Sequence, residues 1–418
     1  MYGDDRLSIY FSLYLIPAVI VALPLYWLAL RSDRHRLGFL LLGSIVALGV
    51  LHPVFVVIAV AVTVGAHSLV SALAEKRLSV RWGLFLSISL GVLIIAIGKY
   101  GTTLIDALWS PDDWVLSRLV MPLGISYFVF RLLQYVFDCI RGTVTELSAF
   151  RLATFIFFVP TFPAGPLETY QGFYEKRSST FDKPLFYAGC YRIALGYFKK
   201  VVIVDYLMAL LFSDLLPRIG DASLADMRSA PALGAAFVVY AFLRAYADLS
   251  AYTDLAIGFS ALFGFRIMEN FHRPLWQPNL ADFWRSWHIS LSSWVRNNVY
   301  FPLFGVTRKT WLGLYAAMLT MGLWHYVDLN WTVWGLYHGT GLVLVARWMK
   351  WKRKLTKRWR KEGKPLWAKL LRPAGYILTF IYVALGYSFV ATDGIGQAFR
   401  VFLWALAGPF VWVAERIL

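Results

Sequence analysis

Of the seven histidines, His288, His325 and His338 lie in or beside apolar stretches among Trp, Gly and Asn residues, where an ionisable side chain needs a reason to be. His288 lies in Asn279-Leu-Ala-Asp-Phe-Trp-Arg-Ser-Trp-His288-Ile-Ser-Leu-Ser-Ser-Trp-Val-Arg296. His325 closes Met321-Gly-Leu-Trp-His325 and is followed by Tyr326-Val-Asp-Leu-Asn330-Trp331, and His338 falls in Gly335-Leu-Tyr-His338-Gly339. An ionisable residue within a membrane segment is costly and by default marks function. Burial holds an imidazole in its neutral form near pH 7. A neutral imidazole can take a proton from a hydroxyl, and such general-base help contributes about 10²–10⁴-fold. The chemistry on offer is activation of a hydroxyl nucleophile.

Plainer readings stand beside that one. His338 is expected to be a core histidine bonded to a backbone carbonyl, and for His325 the core and catalytic readings both stay open. Around His288, Asn279 or Asp282 can cap a helix. Phe283, Trp287, Leu291 and Trp294 then fall on one face at helical spacing. That pattern fits an interfacial helix with Trp at headgroup level and Arg toward phosphate, or a helix that turns His288 into a site. Composition does not separate the two.

Other chemistries find little support. Asp138 lies in an apolar run with Arg131 one helical face away, and Asp248 and Asp254 flank Ser250, Tyr252 and Thr253 near Arg244. Structural ion pairs are expected at both places. Cys139 and Cys190 sit in apolar stretches without CxxC or metal-ligand spacing, so buried small apolar residues and no metal site are expected. No Gly-rich phosphate loop, nucleophile elbow or HExxH is present.

The elements that must position these residues are membrane helices. The 418 residues are 59% hydrophobic and only 16% charged, whereas soluble domains run near half apolar and a quarter charged. A bilayer core needs about 20 apolar residues per spanning helix. Apolar runs occur at about 8–30, 37–52, 54–74, 83–107, 118–140, 150–165, 186–215, 231–262, 312–327, 329–349, 374–391 and 397–415. Pro53 divides 37–74 into two helices or kinks one. The short run at 150–165 ends among Pro160, Pro163 and Pro166, which suggests a broken or re-entrant element, tolerated at membrane depth only where protein or water covers it. The first run follows Asp4, Asp5 and Arg6 and is too long for a signal peptide, so it is read as a retained span.

The net charge of +17 would suggest nucleic acid on a soluble protein. Here the basic residues cluster between apolar runs and read as topology signal and contact with anionic headgroups. No nucleic-acid partner is expected. Arg31, Arg34 and Arg36, then Lys76, Arg77 and Arg81, then Arg141 and Arg151, and the stretch Lys350 to Arg372 are placed on the cytoplasmic side. The N-terminus and the loop at Pro111, Asp112 and Asp113 then face the other side. No internal repeat of the transporter kind is visible.

Four stretches resemble one family, the membrane-bound O-acyltransferases, and within it the bacterial group that O-acetylates alginate or D-alanylates teichoic acid. They are Met121-Pro-Leu-Gly-Ile-Ser-Tyr127, Pro160-Thr-Phe-Pro-Ala-Gly-Pro166, Ser250-Ala-Tyr-Thr-Asp-Leu-Ala-Ile-Gly258 through Asn270-Phe, and Phe283-Trp-Arg-Ser-Trp-His-Ile-Ser-Leu-Ser292 with Gly322-Leu-Trp-His325. Together they span about half the chain, residues 121–340. Departures are Tyr326 where Gly is common after the histidine, Arg296-Asn297-Asn298 in place of Arg-Asp-Tyr, and Arg285-Ser286-Trp287-His288 in place of Arg-Arg-Trp-His. They bear on the substrate more than on the reaction.

The resemblance implies an all-α polytopic membrane protein, a ring of about 11 tilted spans with re-entrant or interfacial helices around a central funnel. It implies one membrane-embedded acyltransferase domain over 1–418, with helices at 1–115, a core at 116–345 and helices at 346–418. His325 maps to the family's essential histidine and His288, 37 positions earlier, to its second polar residue. Trp324, Trp287, Ser290, Asn330 and Tyr326 are expected along the substrate tunnel. The expected co-substrate is an acyl thioester, on acyl-CoA or the phosphopantetheine of a cytoplasmic carrier protein, with no bound cofactor. An acceptor or relay protein outside a bacterial inner membrane completes the set. The rivals are a polysaccharide transporter or flippase, which would use the aspartates for coupling, and a non-catalytic envelope scaffold.

Overall fold

The computed structural model describes residues 16–108, 124–212, 230, 232–362 and 365–417. The N-terminal Asp4, Asp5 and Arg6, the loop at Pro111–Asp113, Met121 to Leu123 and the end of the 186–215 run lie outside them. The described residues are helical, with no strand among them. Among the described residues, four helices are long and apolar enough to cross a membrane: Pro53–Ala74, Val80–Tyr100, Leu233–Leu262 and Leu371–Val390, with shorter apolar helices at Ile16–Ala29 and Ile395–Gly408. The outward faces of the first two stay apolar, as at Val57 and Val92, 70% and 62% exposed. A lipid-facing helix shows this pattern, because hydrocarbon covers what a soluble protein would bury.

By contacts the chain divides into two compact units, one of residues 1–196 and 252–268, the other of 197–251 and 269–418. The first unit begins with α1 (Ile16–Ala29), α2 (Asp33–Leu51) and α3 (Pro53–Ala74). Ser32 caps α2 by accepting the His35 amide at 3.2 Å. Pro53 occupies the first turn of α3 after a non-helical His52, φ −143°, ψ 70°, where its missing N–H costs nothing. The proline therefore makes two helices and not one kinked helix. Helices α4 (Val80–Leu108) and α5 (Ile125–Ile140) follow.

The proline-rich run is broken, as its sequence suggests. Helix α6 (Ala149–Phe157) stops after 9 residues, one 3₁₀ turn follows at Val159–Thr161, and α7 (Tyr170–Glu175) begins on a Thr169 cap. Arg131 of α5, 3% exposed, secures this bend. Its Nη1 donates to the Phe155 carbonyl at 3.3 Å and its Nη2 to the Thr161 carbonyl at 2.7 Å and to the Thr161 hydroxyl. A guanidinium at a helix C-terminus satisfies orphan carbonyls and opposes the negative end of the helix dipole. The expected Arg131–Asp138 pair is thus replaced: Asp138 accepts from Gln134 at 2.8 Å and lies 3.8 Å from Arg141. Buried Glu168 performs the equivalent task for the loop after residue 262, accepting the Met268 amide at 3.0 Å.

Helix α8 (Lys183–Tyr197) continues through a π-helical segment, Phe198–Met208, into α9 (Ala209–Phe212). Cys190 is exposed and Cys139 half-buried, both free, so Cys190 departs from the buried position expected of it. α10 (Leu233–Leu262) is a 30-residue helix. Ion pairs do hold its acidic residues: Asp248 meets Lys200 at 2.8 Å and Asp254 meets Arg192 at 3.0 Å.

The second unit continues with α11 (Leu280–Ser286), α12 (Ile289–Val295), a π turn and α13 (Phe301–Thr307). Its C-terminal helices are α14 (Thr310–His325), α15 (Leu329–Lys361), α16 (Pro365–Val390) and α17 (Ile395–Ile417). At 33 residues, α15 is about 50 Å long against a hydrocarbon core of about 30 Å. The basic stretch from Lys350 is therefore mostly a helix extension and not a loop, which suits cations at the headgroup level.

Candidate active site

His288 is set by a break in what its sequence presents as one amphipathic helix. The Asn279 side chain caps α11 by accepting the Asp282 amide at 2.9 Å. The helix ends at Ser286, and His288 then adopts a left-handed conformation, φ 44°, ψ 53°. A non-glycine residue there is strained, and such strain persists where surrounding structure imposes it. Asn270, wholly buried, does the imposing. Its carbonyl accepts the Ile289 amide at 2.9 Å, and its Oδ1 accepts the Ser290 amide at 3.2 Å and hydroxyl at 2.7 Å. Two residues on, the His272 amide donates to the Ser286 carbonyl at 3.0 Å. Both sides of the break are thereby tied to one loop.

Phe283, Trp287, Leu291 and Trp294 are all buried, so this segment is inserted among other helices and is not laid on a surface. Trp287 stacks on Phe283 at 5.5 Å and meets Phe242, Tyr246 and Phe271 at 5.6, 6.0 and 5.2 Å. His288 is 4% exposed, and desolvation lowers its pKa to about 4. Burial thus favours its neutral form. The sign of the linkage follows. The unfolded chain takes up a proton near pH 6.5 and the folded one only near 4, so this contribution is full above pH 6.5 and is lost as pH falls toward 4. The shift corresponds to roughly 3 kcal/mol at about 1.4 kcal/mol per unit. His288→Gln, which does not titrate, is expected to flatten the fall in melting temperature between pH 7 and pH 4. An unchanged slope would show that other groups carry it.

His325 is the last residue of α14. Tyr326 is extended, φ −162°, and Asp328 caps α15 by accepting the Trp331 amide at 2.7 Å. This short reversal lays the Trp331 ring flat on the imidazole, with centroids 4.2 Å apart and planes 14° apart. Trp324 lies 4.4 Å away with its plane tilted by 57°, and Trp334 meets it edge to face at 6.2 Å. The approach of the two helices depends on Gly322 and Gly335. A Cβ on Gly322 would overlap the Trp331 carbonyl oxygen, and one on Gly335 would sit 2.9 Å from the Met318 carbonyl oxygen. Small residues at such contacts let membrane helices pack closely.

His325 is half-buried and Tyr326 39% exposed, so the imidazole is gripped by indoles without being sealed. The Trp331 stack fixes the plane of the ring. Asn330 is buried and its Nδ2 donates to the Thr392 carbonyl at 2.9 Å, tying the start of α15 to the end of α16. Ser290 is taken up by Asn270. The expected residues thus gather in two groups, Trp324 and Tyr326 with His325, and Trp287 and Ser290 with His288.

An aromatic wall that the motif reading missed links the two groups. Trp284 of α11 touches Phe283 at 5.4 Å and Trp334 at 5.7 Å, and Trp334 touches Trp331 at 5.4 Å. The wall runs Trp287–Phe283–Trp284–Trp334–Trp331 and ends on His325. Trp334 follows Trp331 by three positions, the helical spacing that could have signalled a shared face. Trp284 and Trp334 are 50 positions apart, and nothing local announces that contact.

Comparison with known proteins adds an independent line. The model of the membrane-bound O-acyltransferase family matches residues 79–389, which takes in both histidines and the wall. A probable alginate O-acetylase of Pseudomonas aeruginosa is 30% identical over 411 residues, covering 94% of this chain and 73% of that protein. One from Azotobacter vinelandii is 30% identical over 338 residues, 77% of this chain and 62% of that protein. A teichoic acid D-alanyltransferase of Bacillus subtilis is 28% identical over 286 residues, 65% of this chain and 68% of that protein.

Proposed function

Because the chain belongs to the membrane-bound O-acyltransferase family, we propose that it moves an acyl group from a cytoplasmic thioester to a hydroxyl on an extracytoplasmic polymer or relay protein. His325 is the general base that takes the hydroxyl proton, and His288 orients the reacting groups as a neutral imidazole. Trp324, Trp287, Ser290, Asn330 and Tyr326 shape the path to them. The donor is acyl-CoA or the phosphopantetheine thioester of a carrier protein. The setting is a bacterial inner membrane, crossed by about 11 tilted spans around a central funnel.

The observation that carries this reading is the geometry at His325: a half-buried imidazole held flat by Trp331 at 4.2 Å and flanked by Trp324 at 4.4 Å. In the transfer, the hydroxyl oxygen forms the new ester bond as its proton passes to His325, and the thiolate leaves and is reprotonated. Similarity to the two O-acetylases runs over 94% and 77% of the chain, against 65% for the D-alanyltransferase, which supports acetyl over D-alanyl as the group moved.

The test is reconstitution in proteoliposomes with radiolabelled acetyl-CoA, or an acetylated carrier protein, on the side carrying Lys350 to Lys361, and an O-deacetylated polysaccharide on the other. Alkali-labile label on the polysaccharide is the expected result. Polysaccharide movement without labelling would favour transport. No ester from either thioester, with folded protein, would overturn the proposal.

A further inference from the structure

His338 lies on α15 seven positions after Trp331 and four after Trp334, so the three share one face of that helix. It is 1% exposed, and its Nδ1 has no hydrogen-bond partner among the described residues. The sequence led us to expect a backbone carbonyl there. The indole Nε1 of Trp284 also lacks a partner, and this is the ring that meets the imidazole edge to face at 5.2 Å. Trp334, Tyr337 and Tyr382 complete the surroundings at 4.8, 5.3 and 5.9 Å. Behind the ring, a Cβ on Gly386 would come within 2.9 Å of Nε2.

A phenylalanine would fill this aromatic box without stranding a polar atom. A buried nitrogen without a partner destabilises the fold, and such atoms in native proteins call for an explanation in catalysis or in an ordered oxygen ligand. Trp334 is the common neighbour that makes the position matter. It touches His338 at 4.8 Å, His325 at 6.2 Å, and Trp331, the ring stacked on His325, at 5.4 Å.

We propose that His338 is a positioning residue for His325: its Nδ1 holds an uncharged oxygen group, a water molecule or a hydroxyl of the bound acceptor, and so fixes the Trp334–Trp331 wall against the His325 imidazole. The inference rests on the acyl-transfer reading. It assigns His338 no contact with the acyl group and no proton in the reaction.

Three substitutions test it in the reconstituted full chain. His338→Phe fills the box but removes the polar atom, His338→Asn keeps an amide near Nδ1, and His338→Gln moves the amide toward Nε2. The expected result is a His338→Phe protein at least as heat-stable as the parent, with kcat reduced 10-fold or more. His338→Asn should stay within about threefold of the parent and His338→Gln should not. An unchanged acceptor KM identifies the oxygen as water, and a raised acceptor KM identifies it as the acceptor hydroxyl. Parental kinetics for His338→Phe, or a loss that Asn and Gln share equally, would overturn the proposal. The Asn–Gln comparison decides it even if the Phe variant does not accumulate. Absence of transfer by the parent protein would fell the acyltransferase reading and this one with it, whereas equal transfer by parent and His338→Phe would fell only this one.

Discussion

His325→Ala is expected to lower kcat for acyl transfer by about 10²–10⁴-fold, the range a general base contributes, with normal protein abundance and little change in donor KM. The half-buried ring makes one broad stack, on Trp331 at 4.2 Å, so its removal leaves a solvent-accessible gap and not a sealed core cavity. The helix reversal does not depend on the imidazole, because the Asp328 cap and the Tyr326 amide bond to Gly322, 3.1 Å long, remain. Loss of rate with retained fold separates catalysis from architecture. The measurement is labelled ester formed per unit of folded protein. Wild-type rates would end the general-base assignment, and a silent alanine with a non-functional deletion would favour a scaffold.

Gly322→Ala is expected to have a comparable effect on activity through a different cause. The added methyl would overlap the Trp331 carbonyl oxygen and approach Trp334 Cε3 to 3.5 Å. The nearest obstacle is backbone, not a side chain that can rotate away. Overpacking of this kind costs about 1–3 kcal/mol, and relief requires α14 and α15 to part. Parting them moves Trp331 off His325, and a misplacement of about 1 Å in an active site can cost about 10²-fold in rate. The check is a lowered melting temperature together with kcat reduced by about two orders of magnitude. A fully stable and active Gly322→Ala protein would show that the α14–α15 approach is looser than drawn and that His325 does not depend on it.

The two glycines and the two tryptophans flanking His325 act as one device. Gly322 and Gly335 bring the helices together, Trp331 then stacks on the imidazole and Trp324 contacts it at 4.4 Å. Tyr326 is extended and exposed, so its bulk is accommodated outside that contact.

The sequence alone determined the membrane character and the helical class, and it singled out the two segments proposed as the site. Those features are local. Span length is set by bilayer thickness, the Asn279 and Asp328 caps act within three residues, and Gly-Leu-Trp-His is read in four. Tertiary structure decided what depended on distant partners. Phe283, Trp287, Leu291 and Trp294 fit an unbroken helix, and only Asn270, reaching Ile289 and Ser290 from 19 and 20 positions away, breaks it at His288. Arg131 has Asp138 seven positions on, but the carbonyls ending α6 claim it. His338 was expected to be an ordinary core residue, until Trp284 and Trp334 showed which rings enclose it. Periodicity and charge spacing register what a residue's near neighbours permit. Which burial, strain or ion pair prevails is settled by groups that only folding brings within a few ångströms.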